Sequence, residues 1–266
     1  MKNAIYYVLL FIAIQFFTYY PTIIIWLMAE GMPASRAVSL TLQGNVLIST
    51  PMVIVTQLLF CLLMIAIFLW RKYCEVSPAW LRTRQWQVLI WSCIAGLGTI
   101  IPSQALQEML PDLPDALQQT MAGLMSSRWG YIVVCILAPI TEEIVFRGAI
   151  LKSLLKSIQP VWAIAISALL FALIHANMAQ MPHAFIIGLL LGWMYYRTGS
   201  ILPGIAMHWI NNTVAYATFR IAPNLTDSKL IEIFGTTPRV WMAIGFSLLI
   251  LLPALLQLHL NMKKAN

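Results

Sequence analysis

From Tyr131 to Leu155 the chain reads YIVVCILAPITEEIVFRGAILKSLL, an apolar run long enough for a tilted helix across a hydrocarbon core of roughly 30 Å. Within it, Thr141-Glu142-Glu143-Ile144-Val145-Phe146-Arg147-Gly148 holds three ionisable side chains. Each such charge costs roughly 2.5 to 3.5 kcal/mol at the centre of a spanning helix, so three kept together need something to offset them. Glu143 and Arg147 are four apart, on one helical face and in acid-before-base order, and can pair with each other. Glu142 lies about a hundred degrees further round the helix and has no local cation. Burial and the Glu143 carboxylate both favour the protonated form of Glu142, the direction that suits a general base near neutral pH. Clusters of this kind also serve as packing contacts or line transport paths, so the segment by itself does not select a function.

Hydrophobic residues make up 61% of the 266 and charged residues only 9%, against about 25% charged in a soluble domain. Backbone groups in lipid must pair internally, so a chain of this composition is expected to be all-α, a polytopic membrane bundle. We read residues 1–266 as a single integral-membrane domain without internal repeats. The formal net charge of +7 resides in short clusters beside apolar spans and lacks aromatic-basic interleaving, so no nucleic-acid partner is expected. Cys61, Cys93 and Cys135 fall in apolar spans and Cys74 in a basic loop, which gives no disulfide framework.

In order, the expected spans are 4–28, interrupted by Pro21; 46–70; 87–106; 131–155; 161–176; 185–196, with Gly188 and Gly192 spaced for close packing; 201–219; and 240–260. The first is too long for a signal-peptide core and is read as retained. Alternating through about eight transmembrane helices puts Arg71, Lys72, Arg82, Arg84, Lys152, Lys156, Arg197, Lys263 and Lys264 on one side, and the positive-inside rule makes that side, and both termini, cytoplasmic. The membrane is expected to be the cell inner or plasma membrane. Trp26, Trp70, Trp86, Trp129, Trp162 and Trp241 fall near span ends as interfacial anchors. On the acidic, opposite side, Leu110, Leu113, Leu117, Met121 and Leu124 recur at helical spacing, predicting a short amphipathic helix that starts near Asp112 and Pro114.

Three separate spans offer polar groups: Glu142, Glu143 and Arg147; His175, with Phe171 one turn before it; and His208, with Asn211 and Asn212 close to its face. Apolar bundles do not accumulate such groups without a shared polar intramembrane cavity. Asn211 and Asn212 together could present two donors to one oxygen. Glu142 lies near mid-span and His175 close to the outer end of its own, so either that helix extends to about Met181 or the site sits toward the non-cytoplasmic side. Two histidines and a glutamate could also hold zinc with a fourth position open to water, although HExxH is absent.

The pattern Glu142-Glu143-x-x-x-Arg147, Phe171-x-x-x-His175, His208-x-x-x-Asn212 resembles the three motifs of the CAAX-protease and bacteriocin-processing intramembrane endopeptidases, the CPBP or Abi family, in its Rce1-like branch. The flanks are similar too, with Gly148 closing the first motif and Gly199-Ser200-Ile201-Leu202-Pro203 leading into the third. The resemblance implies an eight-helix bundle around a hydrated cavity that hydrolyses peptide bonds, with residues 131–220 as the family-like catalytic core. It implies Glu142 as the base that activates water, His175 as a holder of that water, and His208 and Asn212 as oxyanion donors. Glu143 and Arg147 are then the supporting pair, with Phe171 and Asn211 beside them.

The family carries the label metalloprotease, but a glutamate-activated water needs no metal, and that is the scheme favoured. If a divalent metal such as zinc is bound, Glu142, His175 and His208 are its candidate ligands. The favoured function is therefore an intramembrane endopeptidase acting on a membrane-associated or lipid-anchored peptide or protein substrate in the lipid bilayer. The alternatives are a non-catalytic membrane scaffold or bacteriocin self-immunity protein of the same fold, and a proton-coupled transporter.

Overall fold

The computed structural model describes residues 2–75, 86–225 and 228–263. Among them all regular structure is helical: α1 Lys2–Ala29, α2 Ala34–Leu42, α3 Thr50–Trp70, α4 Trp86–Glu108, α5 Gln118–Ser126, α6 Arg128–Leu154, α7 Pro160–Leu173, α8 Met181–Thr198, α9 Leu202–Ile221, α10 Leu230–Phe234 and α11 Thr237–Asn261. Five of these, α1, α3, α4, α6 and α11, are long and apolar enough to cross a membrane, and α7 is a shorter apolar helix. At 18 and 20 residues, α8 and α9 have the length for a crossing but carry more polar side chains. Arg82, Arg84 and Lys264 lie outside the described residues.

Helix α6 is the most enclosed of the five: half of its most apolar window is buried, against 11% for α11. The costly charges are therefore on the element best shielded from lipid. Phe11 of α1 packs edge-on against Phe60 of α3 and Phe146 of α6 at 5.2 and 5.7 Å between ring centroids. Across the bundle, Gly188 and Gly192 of α8 fit against Ala168 and Ile164 of α7; a Cβ on Gly188 would lie 3.0 Å from that of Ala168. The expected glycine pair thus brings two backbones together. Gly98 of α4 lies against the backbone of Leu251 in α11, where an added Cβ would come within 2.8 Å of its N and Cα. Trp70, Trp86, Trp129, Trp162 and Trp241 are exposed at or near helix ends.

Three local expectations differ from the structure. Pro21 does not interrupt α1, which runs unbroken from Lys2 to Ala29; the Thr18 hydroxyl donates to the carbonyls of Ile14 and Gln15 in the turn before it, the kind of local adjustment that tolerates proline in a membrane helix. The amphipathic helix over 110–124 is shorter than expected, since α5 begins only at Gln118. Pro111 and Pro114 disfavour helical backbone at the residues before them, and the Asp115 carboxylate accepts the Leu117 N–H to form a side-chain turn instead. Finally, the fifth expected span stops at Leu173; the chain turns at 174–180 with Ala176 at φ 50°, and His175 lies in that turn.

Side-chain bonds tie the two ends of the bundle. At one end Lys152 pairs with Glu75 at 3.2 Å, and Arg197 donates to the His259 carbonyl at 2.9 Å. At the other, Gln107 donates to the Ala179 carbonyl at 2.9 Å, Asn177 to the Asp115 carboxylate at 2.8 Å, and the Leu230 N–H to Glu108 at 2.8 Å. Glu108, Asp112 and Asp115 thus gather at the second end, where Lys229 pairs with Asp112 at 3.5 Å, while Glu75 stays with Lys152 at the first. A cavity of about 180 Å³ at the acidic end is lined by residues including Gln104, Glu108, Asp112 and Lys229, with Glu142 not among them.

Candidate active site

Pro139 sets the local geometry of α6, because proline has no N–H to return to the carbonyl four residues back. The turns on either side are wide: Ala138 N–H bonds to the Val133 carbonyl, five residues back, and Lys152 N–H is shared between the carbonyls of Ala149 and Arg147, the latter five residues back. Wide turns of this kind inside α-helices are frequent at functional sites. Here the first has a visible use, since it leaves the Val134 carbonyl free to accept a bond from Asn212 of α9 at 2.9 Å.

Glu143 and Arg147 pair as their spacing predicts. The guanidinium Nη1 donates to Glu143 Oε1 at 2.7 Å, and both side chains are fully buried. Nη2 donates to the Gly188 carbonyl at 3.2 Å, so the close-packed glycine face also serves as a ligand for Arg147. Below the guanidinium lies the Phe171 ring, 4.4 Å from centroid to Cζ, a cation–π contact in a dry setting. On α9, Gly204 lies against the Glu143 carboxylate: a Cβ there would overlap Oε2 and sit 3.1 Å from Cδ. That approach is open only to glycine.

His208 of α9 stands between the two glutamates, its Nε2 3.7 Å from Glu142 Oε2 and its Nδ1 3.7 Å from Glu143 Oε1. Whichever nitrogen carries the proton, it faces a carboxylate. Both distances exceed a direct hydrogen bond, and Glu142 Oε2, Glu143 Oε2, Arg147 Nε and His208 Nδ1 are buried without a partner among the described residues. Native interiors rarely leave such groups unpaired without a catalytic or solvent-related cause. The two acids differ in access: the Glu142 side chain is 18% exposed and that of Glu143 not at all.

Phe171 links both histidines to this cluster, its ring centroid 5.0 Å from that of His175 and 5.7 Å from that of His208, edge-on to each. His175 Nδ1 is 2.8 Å from the Phe171 carbonyl. A carbonyl only accepts, so a neutral His175 carries its proton on Nδ1 and leaves Nε2 as an acceptor. Two residues on, Asn177 is buried and held by Asp115, which anchors the turn at the acidic end of the bundle.

The third motif divides differently from expectation. Asn211 and Asn212 do not converge on one oxygen: Asn212 donates to the Val134 carbonyl, while Asn211 donates to Nε2 of His183 at 3.2 Å and approaches Asn212 Oδ1 at 3.5 Å. The neighbouring helices decide this, because α6 offers Asn212 a free carbonyl and α8 offers Asn211 an imidazole. His183 is a site neighbour that sequence reasoning did not single out; the available signal was a histidine two residues ahead of the apolar run that begins at Phe185. For metal, no three His, Cys, Asp or Glu side chains among the described residues come together as a ligand group. The trio Glu142, His175 and His208 is not assembled as a zinc site among the described residues.

The family model of Rce1-like type II CAAX prenyl endopeptidases matches residues 124–214, which run from the end of α5 into α9 and include every residue of the three motifs. No curated protein and no solved structure matches the chain. The match supports a protease-type enzyme of the CAAX class, and with the apolar helices it marks an integral membrane protein. The segment that carries the two glutamates, the histidines and the paired asparagines is thus Rce1-like.

Proposed function

We propose that this protein is an intramembrane endopeptidase that hydrolyses peptide bonds in a membrane-associated or lipid-anchored peptide or protein, with Glu142 as the base. The observation that carries this reading is the placing of the buried, unpartnered Oε2 of Glu142, whose side chain is otherwise partly accessible, 3.7 Å from the His208 imidazole, backed by the sealed Glu143–Arg147 pair. Glu142 takes a proton from water as the water oxygen adds to the scissile carbonyl. His175 Nε2, left as an acceptor, helps hold that water. Negative charge on the carbonyl oxygen is met by donation from His208 and from the Asn212 N–H that Val134 does not use. The proton on Glu142 then passes to the leaving amine nitrogen, the C–N bond breaks, and a carboxylate and an amine are released. No metal is required in this scheme.

The same reading takes the chain as about eight membrane-spanning helices around a hydrated polar cavity, with both termini cytoplasmic in the cell inner or plasma membrane. The test compares wild type, deletion and Glu142→Gln strains at matched expression, reading peptide termini in the membrane proteome by mass spectrometry. Specific termini that vanish in both deletion and variant identify the substrate. A deletion phenotype rescued by Glu142→Gln, with no terminus changed, would replace the enzyme by a scaffold of the same fold.

A further inference from the structure

One line of polar contacts joins four helices, α6, α9, α8 and α4, and each link in it has a fixed direction. It begins at the Val134 carbonyl, which the wide turn of α6 leaves free. A carbonyl can only accept, so the Asn212 amide turns its nitrogen to Val134 and its oxygen to Asn211. Asn211 must then present its own nitrogen, which lies 3.5 Å from Asn212 Oδ1 and 3.2 Å from His183 Nε2. An amide nitrogen can only donate, so His183 Nε2 is the acceptor and the proton of the neutral ring sits on Nδ1. Nδ1 donates to Ser103 Oγ on α4 at 3.0 Å, and the buried Ser103 hydroxyl donates in turn to the Ile100 carbonyl at 3.1 Å. Both N–H groups of Asn211 are directed along this line, one to His183 at 3.2 Å and the other toward Asn212 at a longer 3.5 Å. Asn212 keeps one.

We propose that His183 is a positioning residue of the hydrolytic site: through Asn211 it fixes the Asn212 amide so that one N–H stays free for the substrate oxygen, and it does so as the neutral Nδ1–H tautomer. The inference rests on the endopeptidase reading above. An imidazolium would set N–H against N–H at Asn211 and break the line. The opposite tautomer would do the same. His183 is also within electrostatic range of His208 and His175, so a neutral ring adds no charge beside them.

Two measurements test this. The chain has four histidines, so imidazole nitrogen spectra of full-length, 15N-histidine-labelled protein in nanodiscs are tractable, with His183 assigned by loss of its signal in His183→Gln. The expected result at pH 7 is a neutral ring protonated on Nδ1 whose signal shifts in Asn211→Ala; protonation on Nε2, or on both nitrogens, would overturn the proposal whatever the protein cleaves.

In the host, termini made by wild type are then counted in His183→Gln, His183→Leu and Glu142→Gln at matched folded amounts. A carboxamide offers one donor and one acceptor spaced like the two imidazole nitrogens, so His183→Gln should keep about half or more of the processing while His183→Leu loses about tenfold, as expected when a reacting group is misplaced. Full processing by His183→Leu, or equal loss in both His183 variants, removes the positioning role alone. Termini that persist in Glu142→Gln remove the endopeptidase reading and, with it, the role of His183 in it.

Discussion

Glu142 and Glu143 are neighbours in the chain, yet their surroundings prepare them for opposite tasks. Glu143 is sealed and bonded to Arg147, whereas Glu142 is reachable and lacks a cation of its own. Removing one partner of a buried ion pair strands the other, at about 3–5 kcal/mol. Arg147→Ala should therefore cut the folded fraction steeply in thermal-shift or fluorescence size-exclusion assays, while Glu142→Gln leaves it near wild type and abolishes cleavage. Equal loss of folded protein in the two variants would contradict this division. A second residue-scale expectation concerns Cys74, outside the spans and packed directly on Gly148. Burial pushes its thiol up to about 11, with Lys152 opposing. Only the thiolate is nucleophilic, so maleimide or iodoacetamide should label Cys74 slowly at pH 7 to 8 in folded protein, faster as pH approaches 11, and quickly once unfolded. The sign for stability follows: the thiol loses its proton at lower pH when unfolded, so this contribution is intact below 9.0 and fades between there and about 11. At this scale the Glu143–Arg147 pair was legible because helical spacing alone brings residues four apart together. The His183–Asn211 bond was not, because it depends on where α8 lies beside α9.

At the scale of elements, glycines mark where helices touch. Gly98→Ala would drive a Cβ into the backbone of Leu251, and backbone cannot rotate out of the way; overpacking of that kind costs about 1–3 kcal/mol. Gly245, in α11, has open space around its ideal Cβ, so Gly245→Ala should be neutral or stabilise by about 0.5–1 kcal/mol through helix propensity. The pair is read by melting temperature in one detergent; a loss at Gly245 as large as that at Gly98 would mean that the α4–α11 contact does not control stability. The Gly188 and Gly192 contact was legible from the four-residue spacing. The short α5 was not, because the leucine periodicity across 110–124 is real but the two prolines and the Asp115 turn override it. Periodicity reports which face would be apolar if a helix formed, and not whether the backbone permits one.

For the whole molecule, charge at one end of the bundle sets the expected orientation. Arg71, Lys72, Lys152 and Arg197 lie beside helix ends that meet through the Lys152–Glu75 and Arg197–His259 contacts, and Glu108, Asp112 and Asp115 gather at the other end. Under the positive-inside rule a C-terminal green fluorescent protein fusion should fluoresce and a C-terminal alkaline phosphatase fusion should be inactive; the reverse pattern would invert the assignment. The sequence by itself determined an all-α membrane protein, the ion pair on α6, the close-packing glycine pair on α8, and the three motifs of an Rce1-like segment. All of these are set by composition, helical period or short spacing, which are local properties. Only the tertiary structure decided that His208 stands between two glutamates, that Gly204 makes room for one of them, that His175 sits in a turn under Phe171, and that Asn211 and Asn212 face different partners. Those outcomes depend on the register of one helix against another, which is fixed by packing across the bundle and has no signature within any single segment.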